Sequence, residues 1–434
     1  MARDLRSVRA SGSLSRRGAL SMLAGAAIGA WTAAAEADAN STGRSEVRAF
    51  WVRTPTAGTP VRSVMDREAV ESTVDFLVDA KRAFEAQGYE VQTLRIAITP
   101  LLVSSTPMSR AKALPELIAL DELVVRRHAL ISIGPVFSLG DSDATIGSWA
   151  RELVGHTRGI NFSGAVASLT HGVHREAVST AGRVMAALST ATNDGAANFR
   201  FAAAACVPAG TPFFPAGYHE GPPSLAVGLE SANLVRRAFT GVADPVRASG
   251  QLRLLLNAEF APVDRLARKL AEQGQRRYLG IDSSPAPGGD SSIGEALEAL
   301  TGRPVGGPST LQACAAVRAA IKSVAVTTCD YSGVMLPILE DPTLAARAAE
   351  GRLGIAKLLP YSSVCGTGLD VVPLPGDASA AGLARIIGDT ATLAVRLRKP
   401  ISARLVPVPG KGVGDSISFS DPLLTASKVL GLDS

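Results

Sequence analysis

The chain has 434 residues, of which 46% are hydrophobic, 5% aromatic and 19% charged. This is enough apolar chain for one large core of Ala, Val, Leu and Ile, and too little charge for long disordered tails. Of the net charge of +5, residues 1–37 carry +3 (Arg3, Arg6, Arg9, Arg16 and Arg17 against Asp4 and Glu36); the rest holds +2 with no Lys/Arg block, which argues against a nucleic-acid partner.

Residues 1–39 read as an export signal: a basic start, an uncharged Ala/Gly-rich run from Ala19 to Ala35, then small residues suited to a signal peptidase at Ala37 or Ala39. The pair Arg16-Arg17 ahead of a weakly hydrophobic run resembles a twin-arginine signal, with Ala19 where that motif usually carries an aromatic. The expected partner is the twin-arginine export machinery, which carries folded proteins, and the expected destination is the periplasm or the cell exterior. The run is near the minimum length for a span and is made of Ala and Gly, so no stable membrane anchor is expected.

From Glu46 to Ser434 short apolar runs alternate with helical patterns, with no linker between them, which argues one large α/β domain. Strands are predicted over 47–54, 91–98, 129–134, 199–206, 251–260, 277–282, 323–328 and 401–408. Helices are predicted over 67–88, with Val70, Val74, Leu77 and Ala80 on one face; over 309–323, capped by Ser309; over 341–351, with Asp341 as cap and Pro342 first; and over 379–399, ending on Arg396, Arg398 and Lys399. The four cysteines, Cys206, Cys314, Cys329 and Cys365, are widely spaced, so neither a zinc knuckle nor a disulfide framework is legible, although one disulfide stays open.

Candidate chemistry lies at strand ends and Gly/Pro loops. In "GTPFFPAGYHEG" (210–221) His219 is a candidate base, with a carbonyl-bonded histidine under a packed lid as the plainer reading. Asp282 follows a predicted strand, while Ser292-x-x-Glu295 beyond it is a capping box. Tyr331, in "TTCDYSGVMLP" (327–337), is a candidate hydrogen-bond donor. In "SSVCGTGLDVVPLPGD" (362–377) Gly366 and Gly368 let the chain reverse around Thr367, Asp370 is a candidate acid, Cys365 is either a working thiol or small packing, and Asp377 reads as the cap of the next helix. Arg404 and Lys411, in "RLVPVPGKGVGDS" (404–416), are candidate anion contacts; the spacing is not that of a P-loop. His171, His174 and Glu176 do not make a metal motif, and neither a GxSxG elbow nor a GxGxxG turn behind a first strand is present. The sequence leaves the cofactor open.

"TPFFPAGYHEG", "GIDSSPAP", "SGVMLPILED", "SSVCGTGLDVVPLPGD" and "RLVPVPGKGVGD", in this order over roughly residues 47–430, resemble uncharacterised protein family 0210, also called domain of unknown function 711. The resemblance implies a fold similar to the glycyl-radical enzymes related to pyruvate formate-lyase: a ten-stranded α/β barrel of two five-stranded parallel halves. It also implies that Cys365 stands where those enzymes carry a finger-loop cysteine at the barrel centre. It does not bring their radical chemistry: they carry the radical glycine in an Arg-Val-x-Gly-aromatic segment, and no aromatic follows a glycine in residues 404–419. The resulting expectation is an exported, non-radical enzyme acting on a small polar or anionic substrate inside the barrel, with Cys365, Asp370, His219 and Asp282 as catalytic residues and Tyr331, Thr367, Arg404 and Lys411 as ligand contacts. The alternatives are an exported small-ligand-binding protein and a structural role, and a homo-oligomer stays open.

Overall fold

The computed structural model describes residues 50–434 apart from residues 141, 289, 290, 330 and 365. Arg16, Arg17, Ala37, Ala39 and Cys365 therefore lie outside the described residues.

The first half alternates strand and helix: β1 (Trp51–Thr59), α1 (Arg67–Glu85), β2 (Leu94–Ile98), α2 (Pro107–Val125), β3 (Ala129–Pro135), α3 (Ile146–His156), β4 (Ile160–Ser168), the short β5 (Gly172–Val173), α4 (Arg175–Ser189) and, after a 3₁₀ turn, β6 (Phe201–Ala205). A long loop leads to β7 (Ser224–Glu230), α5 (Ala232–Phe239), α6 (Pro245–Gln273) and β8 (Arg277–Asp282). Four helices follow: α7 (Ile293–Thr301), α8 (Thr310–Ile321), α9 (Pro342–Ala349) and α10 (Ile355–Tyr361). The chain closes with β9 (Gly368–Pro375), α11 (Ala380–Leu397), β10 (Ile401–Val408) and the small hairpin of β11 (Ser416–Ile417) and β12 (Ser427–Lys428).

This is a mixed α/β domain around a ten-stranded, mostly parallel sheet in the order β8-β7-β1-β2-β3-β4-β6-β10-β9, with β5 beside β4. Strands β1, β2, β3, β4 and β6 run parallel. The parallel pairs β7-β8 and β9-β10 join them through antiparallel seams, β1 with β7 and β6 with β10. The segment after α8 touches both outer strands: Thr328 bridges to Ile281 of β8, and Pro337 bridges to Asp370 of β9.

The two faces of the strands differ in chemistry, as period-two alternation allows. One face carries Ile96, Ile98, Ile131, Ile133, Ile160, Phe162, Phe201 and Leu405, which join Val74, Leu117, Leu153, Met185 and Ile387 of the helices in one core. The other face carries Arg95, Leu130, Ser132, Asn161, Ala202, Ala204, Ser402 and Arg404. It encloses the loop after β6: Ser132 Oγ donates to the Pro215 carbonyl at 3.2 Å, and Ala202 and Ala204 pack with Phe213, Ala216 and Tyr331. Small and polar side chains on this face leave room for chain inside the curve of the sheet.

Several elements follow their sequence signals. Val70, Val74, Leu77 and Ala80 are buried on α1. Asp341 caps α9 through the Thr343 and Leu344 amides, and the Ser292 hydroxyl accepts from Glu295 N at the start of α7. Other readings are corrected. Residues 251–260 are helix, not strand: Asp244 and Pro245 start α6, and Leu252, Leu256 and Phe260 recur every four residues on its buried face. Residues 323–328 contribute only the single bridge at Thr328. Ser309 sits at φ +73 and its side chain makes no cap hydrogen bond. Ser379, not Asp377, caps α11 by accepting from Gly382 N at 3.1 Å. Strands β4, β7 and β9 were absent from the sequence reading.

Candidate functional site

An inner cavity of about 80 Å³ lies on the polar face of the sheet. Strands supply its charged wall: Arg53 from β1, Arg95 from β2, Asp282 from the end of β8 and Arg404 from β10, with Glu340 from the segment ahead of α9. Apolar side chains complete it, among them Leu130, Phe214, Leu229 and Met335.

Most of these charges satisfy one another. Arg404 donates from Nε to Asp370 Oδ1 at 2.5 Å and from Nη2 to Glu340 Oε1 at 2.7 Å. The other Glu340 oxygen accepts from Arg53 Nη2 at 2.7 Å. The Arg404 guanidinium also lies over the rings of Phe199 and Phe213, 5.0 and 5.3 Å from their centroids. Burial pushes the Glu340 carboxyl up, but the two guanidiniums outweigh it and hold it below the usual carboxylate range. Burial also pushes Asp370 up, with Glu340 adding to it and Arg404 opposing, so the two carboxylates around one arginine are driven apart. Burial pushes Glu230, at the end of β7, up to about 7, Arg53 opposing and Glu340 reinforcing; its Oε2 accepts from Gln92 Nε2 at 3.0 Å while its Oε1 is buried without a partner.

Arg95 differs. It forms no ion pair among the described residues. One Nη donates to the Pro212 carbonyl at 3.2 Å, the guanidinium lies 5.2 Å over the Phe214 ring, and Nε is buried without a partner. Burial drives its pKa down to about 9, with Arg53 and Arg404 repelling it and Glu340 and Asp282 partly compensating. An arginine does not give up its proton in a protein, so the cost of burying it persists as an attraction for an anion. Asp282 lines the same cavity. Burial raises its pKa although Ser284 N and Ser332 Oγ donate to its Oδ1 at 3.0 and 3.2 Å. The wall thus carries a guanidinium open to an anion and a carboxyl displaced toward its protonated form.

A second, open cleft of about 440 Å³ lies at the N-terminal ends of β7 and β8, beside the loop after β6, lined by Thr211, His219, Glu220, Ser224, Arg277 and Cys329 among others. The Phe213 and Tyr331 rings, stacked 5.1 Å apart, stand between the two hollows: Tyr331 lines the cleft and Phe213 the cavity. His219 is buried, with Nε2 2.9 Å from the Gly221 carbonyl and Nδ1 3.4 Å from Ser224 Oγ. These contacts make Nε2 the donor and Nδ1 the acceptor. Burial lowers its pKa, with Arg276 adding and the Gly221 carbonyl opposing, so the ring is neutral. Gly58 of β1 lies against this ring: a Cβ there would stand 2.3 Å from Nδ1. His219 thereby locks the loop before β7 to the sheet, with both nitrogens engaged.

A family model described as "Uncharacterised ACR (DUF711)" matches residues 48–420. The chain belongs to the DUF711 family. It is 32% identical over 354 residues to a "UPF0210 protein" of Syntrophobacter fumaroxidans, covering 76% of this chain and 77% of that relative. A "UPF0210 protein" of Pyrobaculum arsenaticum is 31% identical over 363 residues, covering 77% and 78%. A third, from Desulfovibrio desulfuricans, is 30% identical over 365 residues, covering 76% and 78%. The DUF711 match thus takes in every strand of the large sheet and the lining of both hollows apart from Leu423.

Within this DUF711 chain, the described residues among those singled out from sequence fall into four groups. Asp370 and Arg404 form a direct ion pair, and Asp282 shares the cavity wall with Arg404. Tyr331 donates to the Thr367 carbonyl at 3.3 Å and lies 3.1 Å from Ser402 Oγ, so Tyr331 and Thr367 meet beside β10. His219 stands in the cleft, across the Phe213–Tyr331 stack from the cavity. Lys411 is exposed on the turn after β10, outside the lining of either hollow. Cys365 lies outside the described residues; after it, Gly366 N donates to the Val334 carbonyl at 2.7 Å, with Met335 of the cavity next in the chain. Sequence reasoning missed Arg53, Arg95, Glu230 and Glu340. The available signal was a lone charge within an otherwise apolar strand or run.

Proposed function

We propose that this DUF711 protein is a non-radical enzyme that takes a small anionic substrate into the inner cavity. Arg95 holds the anion, and Asp282, with its raised pKa, exchanges a proton with the bound molecule. The observation that carries this reading is Arg95: a half-buried arginine on a cavity wall, its Nε buried without a partner and its guanidinium in no ion pair among the described residues, while Arg53 and Arg404 are already paired. His219, with both nitrogens engaged, serves the loop rather than the chemistry. The test is native mass spectrometry of the purified protein, followed by identification of released small molecules and incubation of each with the protein. An anion lost from the Arg95→Met variant and consumed by the wild type supports the reading. Absence of any Arg95-dependent ligand overturns it.

The second reading is a binding protein without catalysis. The direct pairing of Arg404 with both Asp370 and Glu340 favours it, because these groups then serve as a rigid wall. Under this reading Asp282→Asn keeps affinity and no product forms.

Two further proposals accompany the site. The sheet is read as a closed ten-stranded barrel similar to that of the glycyl-radical enzymes, supported by the bridges of residues 328 and 337 to its two outer strands. Residues 1–39 are read as a twin-arginine signal cleaved near Ala37 or Ala39. Fractionation of cells carrying wild type and Arg16→Lys/Arg17→Lys tests this; equal export of both overturns it.

A further inference from the structure

Resting on the anion-site reading above, we infer that the ligand is a short-chain monocarboxylate, with its carboxylate on Arg95 and its chain against Leu130, Phe214 and Met335. Three observations select this class. The first is charge. Arg53 and Arg404 are used up by Glu340 and Asp370, which leaves one open cation among the described residues of the wall. Asp282 and Glu340 line the same cavity, and Glu230 ends β7 beside it. A phosphate dianion or a dicarboxylate would place a second negative charge near the Glu340 carboxylate with no further open cation among the described residues of the wall to meet it.

The second is size. A hollow of about 80 Å³ holds about half a dozen waters, or a molecule of about five or six heavy atoms. The third is the character of the wall. Leu130, the cross-strand partner of Arg95, lines the hollow with Leu229 and Met335, and the Phe214 ring lies under Arg95, so a chain with no hydrogen-bonding groups leaves no polar group of its own unpaired. Gly228 of β7 sets one limit on this space: a Cβ there would stand 3.2 Å from Thr54 Cγ2, on the cavity wall. Met335 is unbranched and flexible, and it fills the apolar end. Leu130 and Met335 are therefore the residues that set the length of chain accepted, and Arg95 is the residue that sets its charge.

The experiment is isothermal titration of the full chain with the sodium salts of acetate, propionate, butyrate, hexanoate, succinate and phosphate at one ionic strength. Binding is expected for one or more of the first three. Succinate and phosphate are expected to bind at least about tenfold more weakly, the loss that a missing charge-assisted partner produces. Met335→Ala is expected to move the preferred length toward hexanoate, and Arg95→Met to abolish binding of every acid. Leu130→Ala serves as the second enlarging variant, and circular dichroism shows that each variant is folded. Succinate or phosphate binding as tightly as the monocarboxylates overturns the inference, as does a chain preference that neither enlarging variant shifts; in both cases Arg95-dependent binding leaves the anion site standing. Failure of all six anions to bind the wild type overturns both.

Discussion

Leu130 and Ile131 are neighbours in β3, yet they belong to different regions of the molecule. Ile131 joins the continuous apolar core between sheet and helices, while Leu130 faces a hollow walled by Arg95, Asp282 and Arg404. The same division runs along β2, β4 and β10. On the helix side, burial of Ile, Phe and Leu stabilises the fold at about 25 cal/mol per Å². On the inner side, desolvated arginines and carboxylates cost more to bury than an apolar wall of equal volume would. The outer face thus holds the sheet together, and the inner face spends part of that stability on a charged interior whose geometry an apolar interior could not supply.

The largest expected effect tests the inner face. Arg404→Met leaves Asp370 and Glu340 buried without their shared cation, and is expected to destabilise by about 3–5 kcal/mol in urea unfolding. A change below about 1 kcal/mol would show that solvent already screens the network, and the two faces would not differ as described. The next effect is on pH dependence. Glu230 is raised from 4.5 to about 7 in the folded protein, so the native state binds its proton more tightly than the unfolded chain does. Its contribution is complete below about pH 4.5 and is lost as pH rises to about 7, a loss of about 3 kcal/mol from 1.36 kcal/mol per pH unit. Glu230→Gln should therefore be relatively more stable than wild type at pH 8 than at pH 4, as urea midpoints will show; parallel pH profiles would remove Glu230 from the buried set. The smallest effect tests the outer face. Ile131→Val should cost about 1 kcal/mol with no change in pH dependence.

The helix side of this comparison was legible in the sequence and the inner side only in part. Runs such as 129–134 and 401–408 announce strands because their outward residues are large and branched. Strand β4 (Ile160–Ser168) does not, because its inward positions are Asn161 and Ser163 and its second half is Gly and Ala. Strand β9 contains two prolines, and its Asp370 and Thr367 neighbours read as loop chemistry. The opposite holds at 251–260: its apolar run resembles a buried strand, while Leu252, Leu256 and Phe260 recur every four residues, as on a helix face. Within the site, Asp282, Asp370 and Arg404 were found because each stands near a Gly/Pro turn. Arg53 and Arg95 were not, because one charge in a strand ordinarily faces water. Only the pairing of β1 and β2 beneath the loop after β6 turns those two side chains inward.

The segment from Thr327 to Glu340 has a consequence for the chain before it is complete. It lays Cys329 N on the Ile281 carbonyl at one outer strand and Ile338 N on the Asp370 carbonyl at the other, 2.9 and 3.1 Å away. β8 is synthesised before this segment, and β9 after it. Until then the ladder groups of the first-made border are bare and adhesive to any neighbouring polypeptide. The β8 border is thus covered at Ile281 only after residues 327–329 are made, and the contact at the other border must wait for Asp370.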